Sequence, residues 1–320
     1  MSTNNLKKIY IGFITYGSST APYLPYFLPS LMSQINADCK IVAIDNSEEK
    51  DNDNLTYIKN NYPEIVLEWA GKNLGFSKAF NLMIKKAVDN GAEYFLALNP
   101  DMILEPDMVN YLVKELDNNK KLGSVSPKIL RWDFADKKKT KIIDTCGIIL
   151  LPGLRFADSG QGAEDQGQYD DSDIIGPSGS AALYRISALE KIKQPGEYFD
   201  ELMFMYKEDC DLAYRLFLAG FKSKCVSSGI AFHDRSSGRQ GNSDLKIILN
   251  RKNINRQVKK WSFLHQQIIF KKFWGTIDLK NKLALILYQI KIFIFILFFE
   301  PYLIKQLLLL YKIRKAIKIY

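Results

Sequence analysis

Short apolar runs separated by longer amphipathic stretches dominate the first third of the chain. Residues 8–15 (KIYIGFIT), 40–45 (KIVAID) and 94–98 (YFLAL) are near-continuous apolar runs of strand length, and 65–69 is a weaker fourth. Between and after them the spacing predicts helices near 21–34, 77–90 and 106–119. Strands alternating with helices imply a mostly parallel sheet covered on both faces. A nucleotide then belongs at the carboxyl ends of the strands. Those ends carry Thr15-Tyr16, Asp45-Asn46-Ser47 and Asn99-Pro100-Asp101, all polar clusters.

The middle third is less regular. Residues 142–151 and 176–184 read as strands, and 153–173, rich in Gly, Asp and Gln, reads as a long loop between them. A helix over 206–220 stops at Gly220, and 222–226 and 229–233 read as short strands. The tail changes character. Residues 246–274 read as a basic, aromatic helix, and 283–299 carry a single charge, Lys291. Glu300-Pro301 breaks that run before a second apolar patch at 307–311. Roughly 20 apolar residues are needed to span a bilayer. The interrupted run fits an interfacial or re-entrant helical pair better than a span.

Charge sharpens that division. The net charge is +9, but from Lys246 onward there are 16 basic residues against two acids, giving +14 and leaving −5 for residues 1–245. We therefore expect a body, 1–245, and a basic, hydrophobic helical extension, 246–320. Such asymmetry asks for an anionic partner. The aliphatic runs IFIFILFF and LLLL suit a lipid surface rather than nucleic acid. Cys39, Cys146, Cys210 and Cys225 lack CxxC spacing, so neither a zinc site nor a disulfide framework is expected, and a reducing compartment is. No signal peptide is expected at MSTNNLKK. No GxGxxG follows the first strand, which argues against a dinucleotide-dependent oxidoreductase.

Four constellations could carry chemistry. Asp101, directly after a buried strand, could bind a divalent cation held on a diphosphate, or cap the helix that starts near Asp107. In Lys72-Asn73-Leu74-Gly75-Phe76-Ser77, Gly75 permits a close backbone approach and Ser77 could cap the next helix; an ordinary strand–helix turn reads the same. Glu208, Asp209 and Asp211 crowd three carboxylates into four residues. Asp211 can pair with Arg215 at i,i+4, which leaves Glu208 and Asp209 for a cleft or for a solvated acidic face. His233 precedes Asp234-Arg235-Ser236-Ser237, which suits a phosphate, although a lone His is more often structural. His265, in the tail, reads as structural.

Taken in order, these motifs resemble family 2 glycosyltransferases, and most of all their bacterial rhamnosyltransferase-like branch, over roughly residues 8–255. The resemblance implies a GT-A fold, inversion at the anomeric carbon and a divalent metal, Mg²⁺ or Mn²⁺. It implies that Thr15 and Asp45 hold the nucleotide base and ribose, that Tyr16, Asn46 and Asn99 belong to the same nucleotide-sugar site, and that Asn73 and Gly75 lie near the diphosphate or the base-side wall. Asp101 matches the last acid of the family's DxD motif, with Asn99 replacing the first acid, and His233 matches a residue that completes the metal shell. Asp209 matches the catalytic base. Arg251, in Asn250-Arg251-Lys252-Asn253, resembles a basic motif that contacts diphosphate or acceptor. The donor implied is a nucleotide sugar, dTDP-rhamnose by branch, with UDP- and GDP-sugars as alternatives. The acceptor implied is a glycan, commonly on a polyprenyl-diphosphate carrier. Peripheral attachment to the cytoplasmic face of the inner membrane fits that acceptor. A binding protein that has lost catalysis is the competing expectation; the presence of Asp101 and Asp209 argues against it.

Overall fold

The N-terminal strands and helices alternate as their apolar spacing predicts. The structure is a computed structural model that describes residues 8–34, 39–235 and 254–320. In chain order come β1 (Ile9–Thr15), the short α1 (Gly17–Thr20), α2 (Leu24–Met32), β2 (Cys39–Asp45), α3 (Asp53–Asn61), β3 (Val66–Trp69), α4 (Gly75–Asp89) and β4 (Tyr94–Leu98). The four strands pair in parallel in the order β3-β2-β1-β4. Register sets Thr15 beside Asp45 and Asp45 beside Trp69, so the polar strand ends form one rim. Ile11, Phe13 and Leu98 pack on one face with α2; Tyr10, Phe95 and Ala97 pack on the other with α4. Burial on both faces explains why these strands are apolar throughout rather than alternating.

Next come β5 (Met102–Leu104), α5 (Met108–Asn118), β6 (Leu122–Asp133), β7 (Lys138–Thr145), β8 (Ile148–Leu151), β9 (Arg155–Asp158), β10 (Asp173–Ile174), β11 (Ala181–Arg185), α6 (Ile186–Ile192), α7 (Glu208–Leu218) and β12 (Lys222–His233). Of these, β5–β7 and β10–β12 extend the sheet to ten strands, ordered β10-β12-β6-β11-β4-β1-β2-β3, with β5 on β12 and β7 on β6, while β8 and β9 pair with each other. The sheet is mixed and mostly parallel, as expected, with the block β3-β2-β1-β4 and a further parallel pair, β6–β12. The long β6 is not predicted from the sequence, because Pro127 sits in its middle and proline argues against a central strand. Its register with β12 shifts just there, from Val226↔Pro127 to Ile230↔Lys128, so the missing N–H falls at a ladder irregularity. The expected 142–151 strand is split between β7 and β8, and the 153–173 stretch opens with β9, which pairs back on β8 as a hairpin before the chain turns irregular.

The tail is helical: α8 (Arg256–Lys272), α9 (Leu279–Phe299) and α10 (Ile304–Ile313). It shares a core with the body, in which Leu264, Ile268, Phe273, Leu285 and Ile317 pack with Ile148, Leu154 and Met203. Lys272, fully buried, places its ammonium 2.7 Å from Asp200 and 2.8 Å from Asp211; Asp211 also takes the Arg215 Nε at 2.7 Å. The pairing of Asp211 with Arg215 is thus met, with a second cation from the tail added. Among the described residues α9 is the one helix long and apolar enough to cross a membrane, by length and composition. One of its faces is packed on the body through Leu285 against Gly153, and on α8 through Gln289 to Gln267 and Glu300 to Lys259 at 3.0 Å. Its other face leaves Leu287, Ile294 and Phe298 exposed.

His265 of α8 is buried, and burial pulls its pKa below the usual imidazole value against the opposing pull of the Tyr206 and Met205 carbonyls. The unfolded chain therefore binds a proton that the folded chain does not once pH falls below about 6.5. Stability should be lost from there down toward the lower folded value. Denaturant unfolding across this range should show a flatter profile for His265→Asn than for wild type. Superimposable profiles would refute the assignment.

Candidate active site

The carboxyl ends of β1 and β2 build the first wall. Thr15 donates its hydroxyl to Asp45 Oδ2 at 2.6 Å, while Asp45 Oδ1 accepts from the Ser47 N–H and the Asn52 amide, both at 3.1 Å. Thr15 and Asp45 are both fully buried, so they shape the loop rather than face a cleft. The Gly17 N–H binds Ser47 Oγ at 2.8 Å, and Trp69 Nε1 donates to the Ser47 carbonyl at 2.9 Å. The residues that line the resulting cavity, about 490 Å³, include Tyr16, Ser19, Ser47, Glu48, Asn52 and Asp53. An acidic, hydroxyl-rich lining suits uncharged ribose and base, and repels phosphate.

The 72–77 turn joins this wall to the rest of the site. The Asn73 Oδ1 accepts the Gly75 N–H at 2.9 Å, and Asn46 Nδ2 reaches the Gly75 carbonyl at 3.3 Å. Asn46 Oδ1 is buried without a hydrogen-bond partner. Gly75 has φ +75°, and a Cβ there would stand 2.5 Å from the Phe204 carbonyl oxygen. The glycine is required by the protein's own 199–207 segment, not only by room for a ligand. Ser77 also departs from expectation. Helix α4 begins at Gly75, and the Ser77 hydroxyl donates to the Met203 carbonyl at 2.5 Å instead of capping.

Opposite lies a chain of charges. His233, at the end of β12, is held between two carboxylates, with Nδ1 2.8 Å from Asp144 and Nε2 3.2 Å from Asp101. Arg235 bridges Asp144 at 3.2 Å and Asp158 at 2.8 Å, so it is spent on protein carboxylates rather than left for a phosphate. Burial opposes a charged His233, but Asp101 and Asp144 outweigh it and push the pKa up to about 10. Burial likewise opposes the Asp144 carboxylate, yet His233 and Arg235 hold its pKa below the usual range. Asp101 Oδ1 is buried and makes no aligned hydrogen bond, only the ion-pair contact with His233.

Asp209 begins the helix that faces this chain. Its Oδ2 accepts the Gly179 N–H at 3.0 Å, and the next residue's carbonyl, Ser180, accepts the Asn99 N–H at 2.8 Å. Two residues of backbone thus separate Asp209 from the Asn99–Asp101 turn. Glu208 is buried beside it with Oε2 unpartnered. Burial first, then repulsion from Asp209 and Asp211, drives the Glu208 pKa well above the carboxylate range. Burial first, then the Glu208 charge, raises the Tyr206 pKa against the opposing pull of Arg235. Arg251 lies outside the described residues.

The family model described as Glycosyl transferase family 2 matches residues 10–193, more than half of the chain. The chain is a family 2 glycosyltransferase. The N-acetylglucosaminyl-diphospho-decaprenol L-rhamnosyltransferases of Mycobacterium tuberculosis, from strains CDC 1551 / Oshkosh and ATCC 25618 / H37Rv, are each 27% identical over 248 residues, covering 72% of this chain and 78% of theirs. This similarity puts the glycosyltransferase in the rhamnosyltransferase-like branch. A crystal structure of GalNAc-T7 with UDP, GalNAc and Mn²⁺ superposes with a TM-score of 0.57 at 15% identity, covering 84% of this chain. The glycosyltransferase spans about half the length of that structure, 51%, and the likeness supports the GT-A fold alone.

The charge chain of this glycosyltransferase fits a divalent cation. His233 turns Nε2 toward Asp101 and binds a carboxylate through Nδ1, an arrangement that fixes the imidazole of a metal ligand from behind. Asp101, whose Oδ1 has only the ion-pair contact with His233, could supply an anionic donor. Among the described residues no three His, Cys, Asp or Glu side chains form a closed cation site. A Mg²⁺ or Mn²⁺ here would take its other ligands from diphosphate and water. Asp144 was not singled out from the sequence, where its signal is a carboxylate inside the strand-like run KIIDTCG. Asp144→Asn should weaken apparent metal affinity on the order of 10- to 100-fold, read by titrating divalent metal against activity or nucleotide binding. An unchanged metal requirement would remove Asp144 from this role.

Proposed function

We propose that this enzyme is an inverting transferase that moves rhamnose from dTDP-rhamnose to a hydroxyl of a growing, lipid-linked bacterial surface glycan. The observation that carries the reading is the placement of Asp209, tied through Gly179–Ser180 to the Asn99–Asp101 turn. Tyr16, Asn46, Asn73 and Asn99 line or border the route that donor and diphosphate would take, with Thr15, Asp45 and Gly75 setting the backbone around it. A divalent cation held by Asp101 and His233 would neutralise charge on the departing diphosphate.

Asp209 takes the proton of the acceptor hydroxyl. The acceptor oxygen bonds to the anomeric carbon from the face opposite the diphosphate. The bond from that carbon to the phosphate oxygen breaks, and its electron pair leaves with the nucleoside diphosphate. Inversion follows from this single displacement. The donor sugar rests on branch similarity, so UDP- and GDP-sugars belong in the same test. So does the acceptor, since the mycobacterial relatives are named for a lipid-linked N-acetylglucosamine.

The exposed face of α9, with Leu287, Ile294 and Phe298 flanked by Lys280, Lys282, Lys305 and Lys312, supports peripheral attachment to the cytoplasmic face of the plasma membrane. A helix packed along one face against the body and α8 lies on the bilayer rather than through it.

Metal-dependent hydrolysis across a panel of nucleotide sugars tests the donor; turnover of none of them would defeat the reading. Asp209→Asn should abolish transfer, a fall of about 10³-fold or more, while donor binding by calorimetry stays near wild type. Parallel loss of both would remove Asp209 as the base. Charging the outer face of α9 with Ile294→Glu and Phe298→Glu should move the protein from membrane to soluble fractions without lowering its melting temperature. Unchanged fractionation would disprove attachment through this face.

A further inference from the structure

The irregular segment 199–207 delivers the chain into Asp209, and it is held from two directions. On the donor side, the Phe204 carbonyl accepts the Phe76 N–H at 2.8 Å, the Met203 carbonyl accepts the Ser77 hydroxyl, and the Phe199 carbonyl accepts the Asn81 amide at 2.9 Å. On the other side stands α8. Trp261 lies against Phe204 with ring centroids 5.0 Å apart. Lys272 binds Asp200, within the segment, and Asp211, two residues past the base. His265 Nδ1 lies 2.8 Å from the Tyr206 carbonyl. A carbonyl only accepts, so Nδ1 carries the proton.

Tyr206 and Lys207 have φ of +70° and +75°, two successive non-glycine residues in the left-handed region. Such conformations persist where the surroundings over-determine them, and they gather at functional sites. The His265 hydrogen bond falls on the first of the pair, and α7 starts immediately after the second. The direction in which the first turn of α7 presents Asp209 is therefore set by the peptide that His265 grips.

We propose that His265 is a positioning residue for the transfer reaction, acting through the Tyr206 carbonyl on the left-handed pair, with Lys272 as a second strut. The tail is then part of the catalytic scaffold as well as a lipid-facing extension. The inference rests on Asp209 as base. His265 touches no substrate; it governs where the Asp209 carboxylate stands relative to the acceptor hydroxyl.

The test uses the full chain and three variants. His265→Phe keeps the ring volume and removes the N–H. His265→Asn carries an amide N–H near the Nδ1 position. His265→Gln carries it farther out and keeps a polar side chain should the Phe variant fail to fold. Transfer is measured with dTDP-rhamnose, Mg²⁺ and polyprenyl-diphospho-N-acetylglucosamine. A displacement of about 1 Å costs on the order of 10²-fold. Phe and Gln should accordingly lower kcat roughly 10- to 100-fold with donor KM within about twofold, and Asn should restore most of it. Amide hydrogen exchange over 205–211 should speed up in Phe and Gln and stay near wild type in Asn. Full kcat in Phe or Gln overturns the proposal, as does an Asn variant no better than Gln. If the wild type transfers no sugar, the functional reading fails separately. Exchange then decides alone, and equal rates in all four proteins overturn the positioning role.

Discussion

One buried carboxylate serves two cations, and much of the molecule is arranged around that fact. Asp211 is fully enclosed and meets Arg215 from its own helix and Lys272 from the tail. Arg215 also donates to the Ile192 and Tyr198 carbonyls, and Lys272 to Asp200. Burial alone would favour a neutral Asp211, but the two cations reverse that and hold its pKa below the usual carboxylate range. Removing one member leaves uncompensated buried charge, at about 3–5 kcal/mol. Helix α7, the 194–200 loop and the tail are thereby locked to one another before any ligand arrives.

The site divides electrostatically along the rim of the sheet. At the β1–β2 end the exposed groups are hydroxyls, amides and carboxylates around a roomy cavity, which favours the neutral part of a nucleotide. At the β12 end His233, Asp101, Asp144, Arg235 and Asp158 alternate in sign. Each charge there meets an opposite one, but Asp101 Oδ1, buried against His233, lacks an aligned hydrogen-bond donor. That uneven satisfaction is typical of functional polar clusters, because a fully closed network has nothing to offer a ligand.

The parallel half of the fold was legible because its strands are short, apolar throughout and separated by helical spacing. The polar residues at their ends could be read as one rim for the same reason. The long strand β6 was not legible, since Pro127 contradicts a central strand unless a ladder shift falls on it. Strand β9 hid within the glycine-rich stretch that follows β8. At the site, Asp101, Asp209 and His233 could be picked out as chemistry-bearing side chains near strand or helix ends. Asp144 and Asp158 could not, since their importance comes from partners 89 and 77 residues away in sequence. Gly75 was legible as a close approach, but its neighbour is Phe204, which only the tertiary packing brings there. Lys272 was counted among the tail's basic residues, and its burial in the body has no local signal at all.

The way α9 is secured has a mechanical consequence. A helix held on the body near its start and on α8 at its middle and end cannot swivel as a tether would. Whatever covers its outer face then dictates tilt and height of the whole molecule. With a lipid sheet on that face, the mouth of the cleft sits at a fixed elevation above the headgroups. Only acceptor groups that project to that elevation could then be reached, so the reach of the acceptor would become a selection rule imposed by geometry alone.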